Sequence, residues 1–131
     1  METFHGEIIE ESLTNPSILR RFQIVSTRVS QVTPQHRTPW LSQWTLHTVA
    51  VPADIAEQIA AELSQALDPT HPSSWYVDFK SEARHFVIYP NKVFSIDRYS
   101  PEQYQRATEY GISLGIPEQQ VDFAPHMKKA I

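Results

Sequence analysis

The chain contains no cysteine. That absence excludes disulfides, thiolate nucleophiles, iron–sulfur clusters and cysteine-bearing zinc sites together. Glycine is almost as scarce, with only Gly6, Gly111 and Gly115 present. Phosphate-cradling loops need clustered glycines so that backbone N–H groups can close on the anion, so P-loop and Rossmann nucleotide sites are excluded as well. No run approaches the roughly 20 apolar residues that cross a bilayer. The opening Met-Glu-Thr-Phe-His-Gly-Glu lacks the apolar core of a signal peptide. A basic stripe is also missing: net charge is −4, and Arg20-Arg21 and Lys128-Lys129 are the only adjacent basic pairs. Nucleic-acid binders draw most of their affinity from phosphate neutralisation, so neither nucleic acid nor a membrane is an expected partner. The cytoplasm is the expected compartment. Asn15-Pro16-Ser17 is no glycosylation acceptor, because proline occupies its middle position.

What is present is globular in character: 131 residues, 40% hydrophobic and 20% charged. That length fits one domain, expected over 1–124, with a frayed tail at 125–131. Residues 4–13 read as a strand, and 18–32 as a long β-branched strand. A loop at 33–39 separates it from a third strand at 40–51. Pro52 then opens a helix whose apolar stripe is Ile55, Ala56, Ile59, Ala60, Leu63, Ala66 and Leu67. Three strands follow at 75–80, 85–89 and 93–98. Ser100-Pro101-Glu102-Gln103 reads as a capping box opening a second helix, which Gly115 and Pro117 terminate. Val121 and Phe123 suggest a short edge strand. The element order is βββα–βββα, which raises an internal duplication. The expected fold is α+β, a mostly antiparallel sheet with both amphipathic helices on one face.

Register within 75–98 follows from turn lengths. A four-residue turn at 81–84 pairs Lys80 with His85, Phe79 with Phe86 and Val77 with Ile88. A three-residue turn at 90–92 pairs Ile88 with Phe94 and Phe86 with Ile96. Val77, Phe79, Phe86, Ile88, Phe94 and Ile96 then share the core face. The other face carries Lys80, His85 and Asp97 in a row, with Asp78 diagonal to His85. A carboxylate beside a histidine fixes its tautomer and raises its pKa, which is how acid–base pairs are built. These four are the catalytic candidates. Tyr76, Val87, Tyr89 and Val93 would leave a semi-apolar patch on the same uncovered face. Tyr76, Tyr89, Trp40, Trp44 and His47 are the binding candidates, since aromatics of this kind line pockets and interfaces.

Gly111-Ile112-Ser113-Leu114-Gly115 matches G-x-S-x-G, and Asp122 and His126 follow in hydrolase order. A nucleophile elbow needs a strand before the serine and a helix after it. Here a capped helix runs into the motif, so its glycines read as a helix terminator. The histidines at 5, 36, 47, 71, 85 and 126 form neither H-x-H nor H-E-x-x-H, so no metal site and no cofactor is expected. Glu7, Glu10 and Glu11 read as a solvated acidic face.

The segments Thr38-Pro39-Trp40-Leu41-Ser42-Gln43-Trp44-Thr45-Leu46-His47-Thr48-Val49, Asn91-Lys92-Val93-Phe94-Ser95-Ile96-Asp97-Arg98 and Tyr110 through Phe123 resemble a family of small prokaryotic proteins with no assigned activity. The resemblance runs from about His5 to Phe123 and implies a single-domain prokaryotic protein, with no functional residue to transfer. Two functions remain as expectations. One is a binding or regulatory module, a homodimer or small-molecule binder, using the open sheet face or an edge strand. The other is a small hydrolase or isomerase using His85 with Asp97.

Overall fold

The computed structural model describes residues 2–33, 38, 40–71 and 75–124. The expected tail at 125–131, with His126, lies outside them, as does most of the loop at 33–39. The strands are β1 (Thr3–Ile9), β2 (Gln23–Gln31), β3 (Gln43–Pro52), β4 (Val77–Lys80), β5 (Arg84–Tyr89) and β6 (Lys92–Asp97). Helix α1 (Ala53–Ala66) follows β3, and α2 (Pro101–Ser113) follows β6. The βββα–βββα order is therefore the observed one. The six strands form one antiparallel sheet in the order β2-β3-β1-β4-β5-β6. The first half runs β2-β3-β1 and the second β4-β5-β6, so the halves share an element order without sharing a topology.

Local chemistry explains the boundaries. Pro52 is the N-cap of α1, and burial of Ala56, Ile59, Ala60 and Leu63 marks its core stripe. Ser100 caps α2 by accepting the Gln103 N–H at 3.2 Å, with Pro101 at the first helical position. The Gln103 side chain does not close a capping box. It accepts the Asp97 N–H instead, at 2.7 Å. Gly115 takes φ 93°, the left-handed conformation that stops the helix. Ser113 lies in the last turn of α2 and donates to the Tyr110 carbonyl, so it is no elbow nucleophile. The long strand expected from Ile18 begins only at Gln23. Asn15 accepts the Ser17 N–H at 3.0 Å, and Pro16 starts a 3₁₀ segment, Pro16–Arg21. Val121 and Phe123 form no strand. Val121 is buried against α2, and Phe123 packs beside it.

The helices do not share a face of the sheet, which corrects the one-face expectation. Phe4, Ile8, Val49, Val51, Val77, Phe79, Phe86 and Ile88 form one core with α1. Val87, Tyr89 and Ile96 form another with Tyr104 and Ala107 of α2. Successive residues of a strand point to opposite sides, so β5 is buried on both. The cause is the β5–β6 turn. It contains two residues, Pro90 and Asn91, and Tyr89 pairs with Lys92. Proline fixes the first turn dihedral and Asn91 supplies φ 63°, a conformation that asparagine tolerates better than most residues. Val87 therefore faces Phe94, and His85 faces Ile96. The three-residue turn would have paired Phe86 with Ile96. One residue of slip moves Phe94 and Ile96 to the other side. The patch expected from Val87 and Tyr89 is consequently covered by α2. The β4–β5 register holds as expected, with Val77 against Ile88, Phe79 against Phe86 and Lys80 against His85.

Gly6 lies in β1 where β4 approaches most closely. A Cβ there would stand 2.1 Å from the Asp78 carbonyl oxygen and 2.8 Å from the Phe79 Cβ. Both are parts of the adjacent strand and cannot swing away. Gly6→Ala is expected to lower stability by about 1–3 kcal/mol through overpacking. Urea denaturation followed by circular dichroism measures it, and an unchanged midpoint would refute the close approach.

Candidate functional site

Two buried histidines are each held between a carboxylate and a hydroxyl. His85 on β5 is 2% exposed. Its Nε2 lies 2.6 Å from Asp78 Oδ2 and its Nδ1 3.0 Å from the Tyr104 hydroxyl. An ionised carboxylate only accepts, so Nε2 carries the ring proton. In the Nε2–H tautomer, Nδ1 accepts the Tyr104 O–H. Burial is the main cause that raises the Tyr104 pKa. Phe123 closes over the ring edge-on, with centroids 5.7 Å apart. The relay thus joins β4, β5 and α2 beneath an aromatic cover.

His47 on β3 is 7% exposed. Its Nε2 lies 2.7 Å from Glu10 Oε1 and its Nδ1 2.8 Å from Thr27 Oγ1. The same reasoning makes Thr27 the donor to Nδ1 and Glu10 the acceptor from Nε2. This relay ties the 3₁₀ turn Glu10–Ser12, β3 and the midpoint of β2 together. A shallow cleft of about 440 Å³ lies beside Glu10, lined in part by Asn15, Leu19, Arg20 and Ile24.

The other candidates separate. Asp97 does not stand beside His85. It pairs across the ladder with Arg84, on the opposite side of the sheet, and its Oδ1 accepts the Tyr99 N–H at 2.9 Å. The register slip is the reason. Lys80 is the cross-strand neighbour of His85, at the exposed end of β4. Tyr76 donates to the Gln120 carbonyl at 2.9 Å, and Tyr89 donates to the Ala107 carbonyl at 2.7 Å. Burial, seconded by Asp78, pushes the Tyr76 hydroxyl up to about 12. Burial likewise raises Tyr89 beyond the usual phenol range. Trp40 stacks on His71 at 3.6 Å, and Trp40 and Trp44 both pack on Trp75, at 6.3 and 5.9 Å. The Trp44 indole also donates to Thr38 at 3.0 Å. The acidic trio is not one solvated face. Glu7 pairs with Arg28, Glu10 with His47, and Glu11 accepts from Thr45.

Sequence reasoning missed Thr27 and Tyr104 as histidine partners. Tyr104 falls on the apolar stripe of α2 and reads as plain core. Thr27 meets His47 only through the β2–β3 register. The available signal was the β-branched, hydroxyl-bearing stretch of β2 opposite a strand that carries an inward histidine. Among the described residues, no group of three or more His, Asp or Glu could hold a metal ion. Among them, too, no helix is long and apolar enough to cross a membrane.

The outer strand β2 is the most open element of the sheet. It lies at the edge, paired only with β3. Its residues are exposed throughout, apart from half-buried Ser30. Val25 is 56% and Val29 60% exposed. The opposite edge, β6, is shorter and carries Lys92 and Asp97 at its ends.

Two outcomes follow. Asp78→Ala leaves the buried Nε2–H of His85 without its carboxylate, and is expected to cost about 1–3 kcal/mol in chemical denaturation. A neutral substitution would mean that water replaces the carboxylate freely. The second outcome concerns alkali. The folded Tyr76 hydroxyl, at about 12 against an ordinary 10.0, keeps its proton where an unfolded phenol loses it. Its contribution is fully present below pH 10 and is lost as pH rises toward 12. Melting temperatures between pH 9 and 11.5 should therefore fall, and Tyr76→Phe should flatten part of that fall.

No protein-family model matches this chain, and no curated protein and no solved structure shows significant similarity to it, so its functional reading rests on its own geometry.

Proposed function

We propose that this protein is a binding module whose working surface is the edge strand β2, and that it captures a polypeptide in extended conformation by strand addition. One observation carries this reading. A nine-residue strand lies at the sheet edge with its side chains exposed, two valines among them. Such an edge presents unpaired N–H and C=O groups, which an added strand satisfies while its side chains pack on those of the edge. Natural edges are blunted by lysine, proline, shortness or a β-bulge, and β2 carries a bulge between Ile24 and Ser26 that leaves residues 26–31 as its regular stretch. Residues 23–31 contain neither lysine nor proline, and their single charge, Arg28, is paired with Glu7 at 3.2 Å.

The acid–base alternative is less well supported. It needs Asp97 beside His85, and the two lie on opposite sides of the sheet. His85 is covered by Tyr104 and Phe123, and its hydrogen bonds hold α2 on the strands. A small-molecule site at Tyr76 and Tyr89 would need free hydroxyls, whereas both donate to backbone carbonyls. The homodimer expected from the sequence is one form of strand addition.

A displayed library of random nine-residue peptides tests the reading. Binders rich in β-branched residues are expected, and Val25→Lys with Val29→Lys should weaken them by about tenfold or more. Binders unaffected by both substitutions, or no binders at all, would refute it.

A further inference from the structure

We propose that Thr27, His47 and Glu10 form a catalytic triad for acyl transfer, and that its substrate is a carboxylic ester with a short apolar acyl group. This activity goes beyond peptide capture and does not depend on it. A hydroxyl becomes a nucleophile when a base takes its proton, and the base acts best when a third group orients it. The three residues meet that requirement in order. Thr27 Oγ1 donates to His47 Nδ1 at 2.8 Å, and His47 Nε2 donates to Glu10 Oε1 at 2.7 Å. The strand register explains the first contact. The Val32 N–H donates to the Ser42 carbonyl at 3.1 Å, so those two residues are a hydrogen-bonded pair. Thr27 and His47 lie an odd number of residues further along the same ladder, at a non-hydrogen-bonded pair, where facing side chains stand closest.

Access separates this relay from the one at His85. There the hydroxyl belongs to Tyr104, which is 1% exposed and out of reach of a substrate. Thr27 is exposed on the edge strand, while the base behind it is buried. Ile24 pairs with Val49, two residues along β3 from His47, so Ile24 and Thr27 share one side of the sheet. The cleft of about 440 Å³ begins there, between Ile24 and Glu10. Pro16, Leu19 and Ile24 suit a short apolar acyl chain, and Arg20 and Asn15 supply donors. Asn15 Oδ1 is taken by the Ser17 N–H, so its amide nitrogen is the end that donates. A cation and an amide both stabilise a carbonyl oxygen as it gains charge.

Thr27 Oγ1 bonds to the ester carbonyl carbon, its proton passes to His47 Nδ1, and the carbonyl oxygen takes the π electron pair. The Glu10 carboxylate steadies the resulting imidazolium. Collapse of the adduct breaks the carbon–oxygen bond to the alcohol, which leaves with the proton from Nδ1. Water then attacks the acyl carbon and gives a proton to Nδ1. The second collapse breaks the bond to Oγ1, which recovers that proton. One ester and one water become one carboxylic acid and one alcohol.

Two probes test the full chain: hydrolysis of p-nitrophenyl butyrate, and labelling by an alkyl fluorophosphonate, in which Oγ1 displaces fluoride from phosphorus and its proton passes to His47. Peptide mapping by mass spectrometry is expected to place one phosphonyl group on Thr27, and ester hydrolysis is expected to saturate. Thr27→Val should abolish both, and Thr27→Ser, which keeps the hydroxyl, should retain both. His47→Gln should lower kcat by about a hundredfold or more. Glu10→Gln still offers an acceptor to Nε2–H but removes the charge, so kcat should fall by about tenfold or more with KM unchanged. Circular dichroism verifies that each variant is folded; if His47→Gln is not, the Thr27 and Glu10 variants carry the test. No adduct, an adduct on another residue, or hydrolysis that survives Thr27→Val overturns the triad. A Glu10→Gln variant that melts lower yet hydrolyses as fast as the wild type makes the relay a structural tie alone and overturns it too. Peptide capture uses the backbone groups and valines of β2, so that reading stands or falls separately, on the peptide library.

Discussion

The two-residue turn at Pro90 and Asn91 decides which side of the sheet each helix covers. It sets Tyr89 against Lys92, and so places Phe94 and Ile96 beside Val87 and Tyr89 rather than beside Phe86 and Ile88. With that choice β5 becomes a strand with two interiors. Phe86 and Ile88 pack under α1, and Val87 and Tyr89 pack under α2. The turn is itself tied to α1, because the Asn91 N–H donates to the Ser64 carbonyl at 2.9 Å. Close approach of α2 depends on Gly111, where a Cβ would meet the Tyr89 hydroxyl at 2.6 Å. The Tyr89 bond to the Ala107 carbonyl needs that space.

Double-sided burial concentrates the packing in the second half of the chain and leaves the first half thinner. Helix α1 backs one side of β1 and β3, while β2 projects beyond it as a bare edge. Where the sheet is thin, polar relays replace apolar mass. Glu10, His47 and Thr27 stitch three elements together, and Glu11 holds Thr45 through both its N–H and its hydroxyl, at 2.7 and 2.8 Å. Buried polar groups cost little when every donor has an acceptor and a great deal otherwise, so such relays define position as much as they add stability. The same logic makes His85 a structural pin between β4, β5 and α2. The Glu10–His47–Thr27 relay likewise pins the middle of β2 to β3.

Much of the architecture was legible in the residues. The β4–β5 register followed from a four-residue turn and alternating apolar positions. The helix limits followed from Pro52, Ser100-Pro101 and Gly115. The G-x-S-x-G string was legible as a helix end because a capped helix ran into it. The opposite placement of α2 had a signal too: His85-Phe86-Val87-Ile88-Tyr89 is nearly continuous in apolar character, the pattern of a strand buried on both sides. Reading it as alternating hid the second core, and with it the true place of Asp97. The relays were less legible, since Thr27 and His47 are 20 positions apart.

The sequence by itself determined the class of fold, the order of its elements, the amphipathic stripes and the helix caps. Each of these depends on residues within a few positions of one another, where periodicity and turn chemistry act directly. It also excluded cysteine chemistry and glycine-loop nucleotide sites by simple scarcity. Only the tertiary structure decided which side each helix took, which carboxylate met which histidine, and which strand was left at the edge. Those outcomes turn on strand register and strand order, where one residue of turn length reverses every side chain beyond it and distant segments compete for the same face.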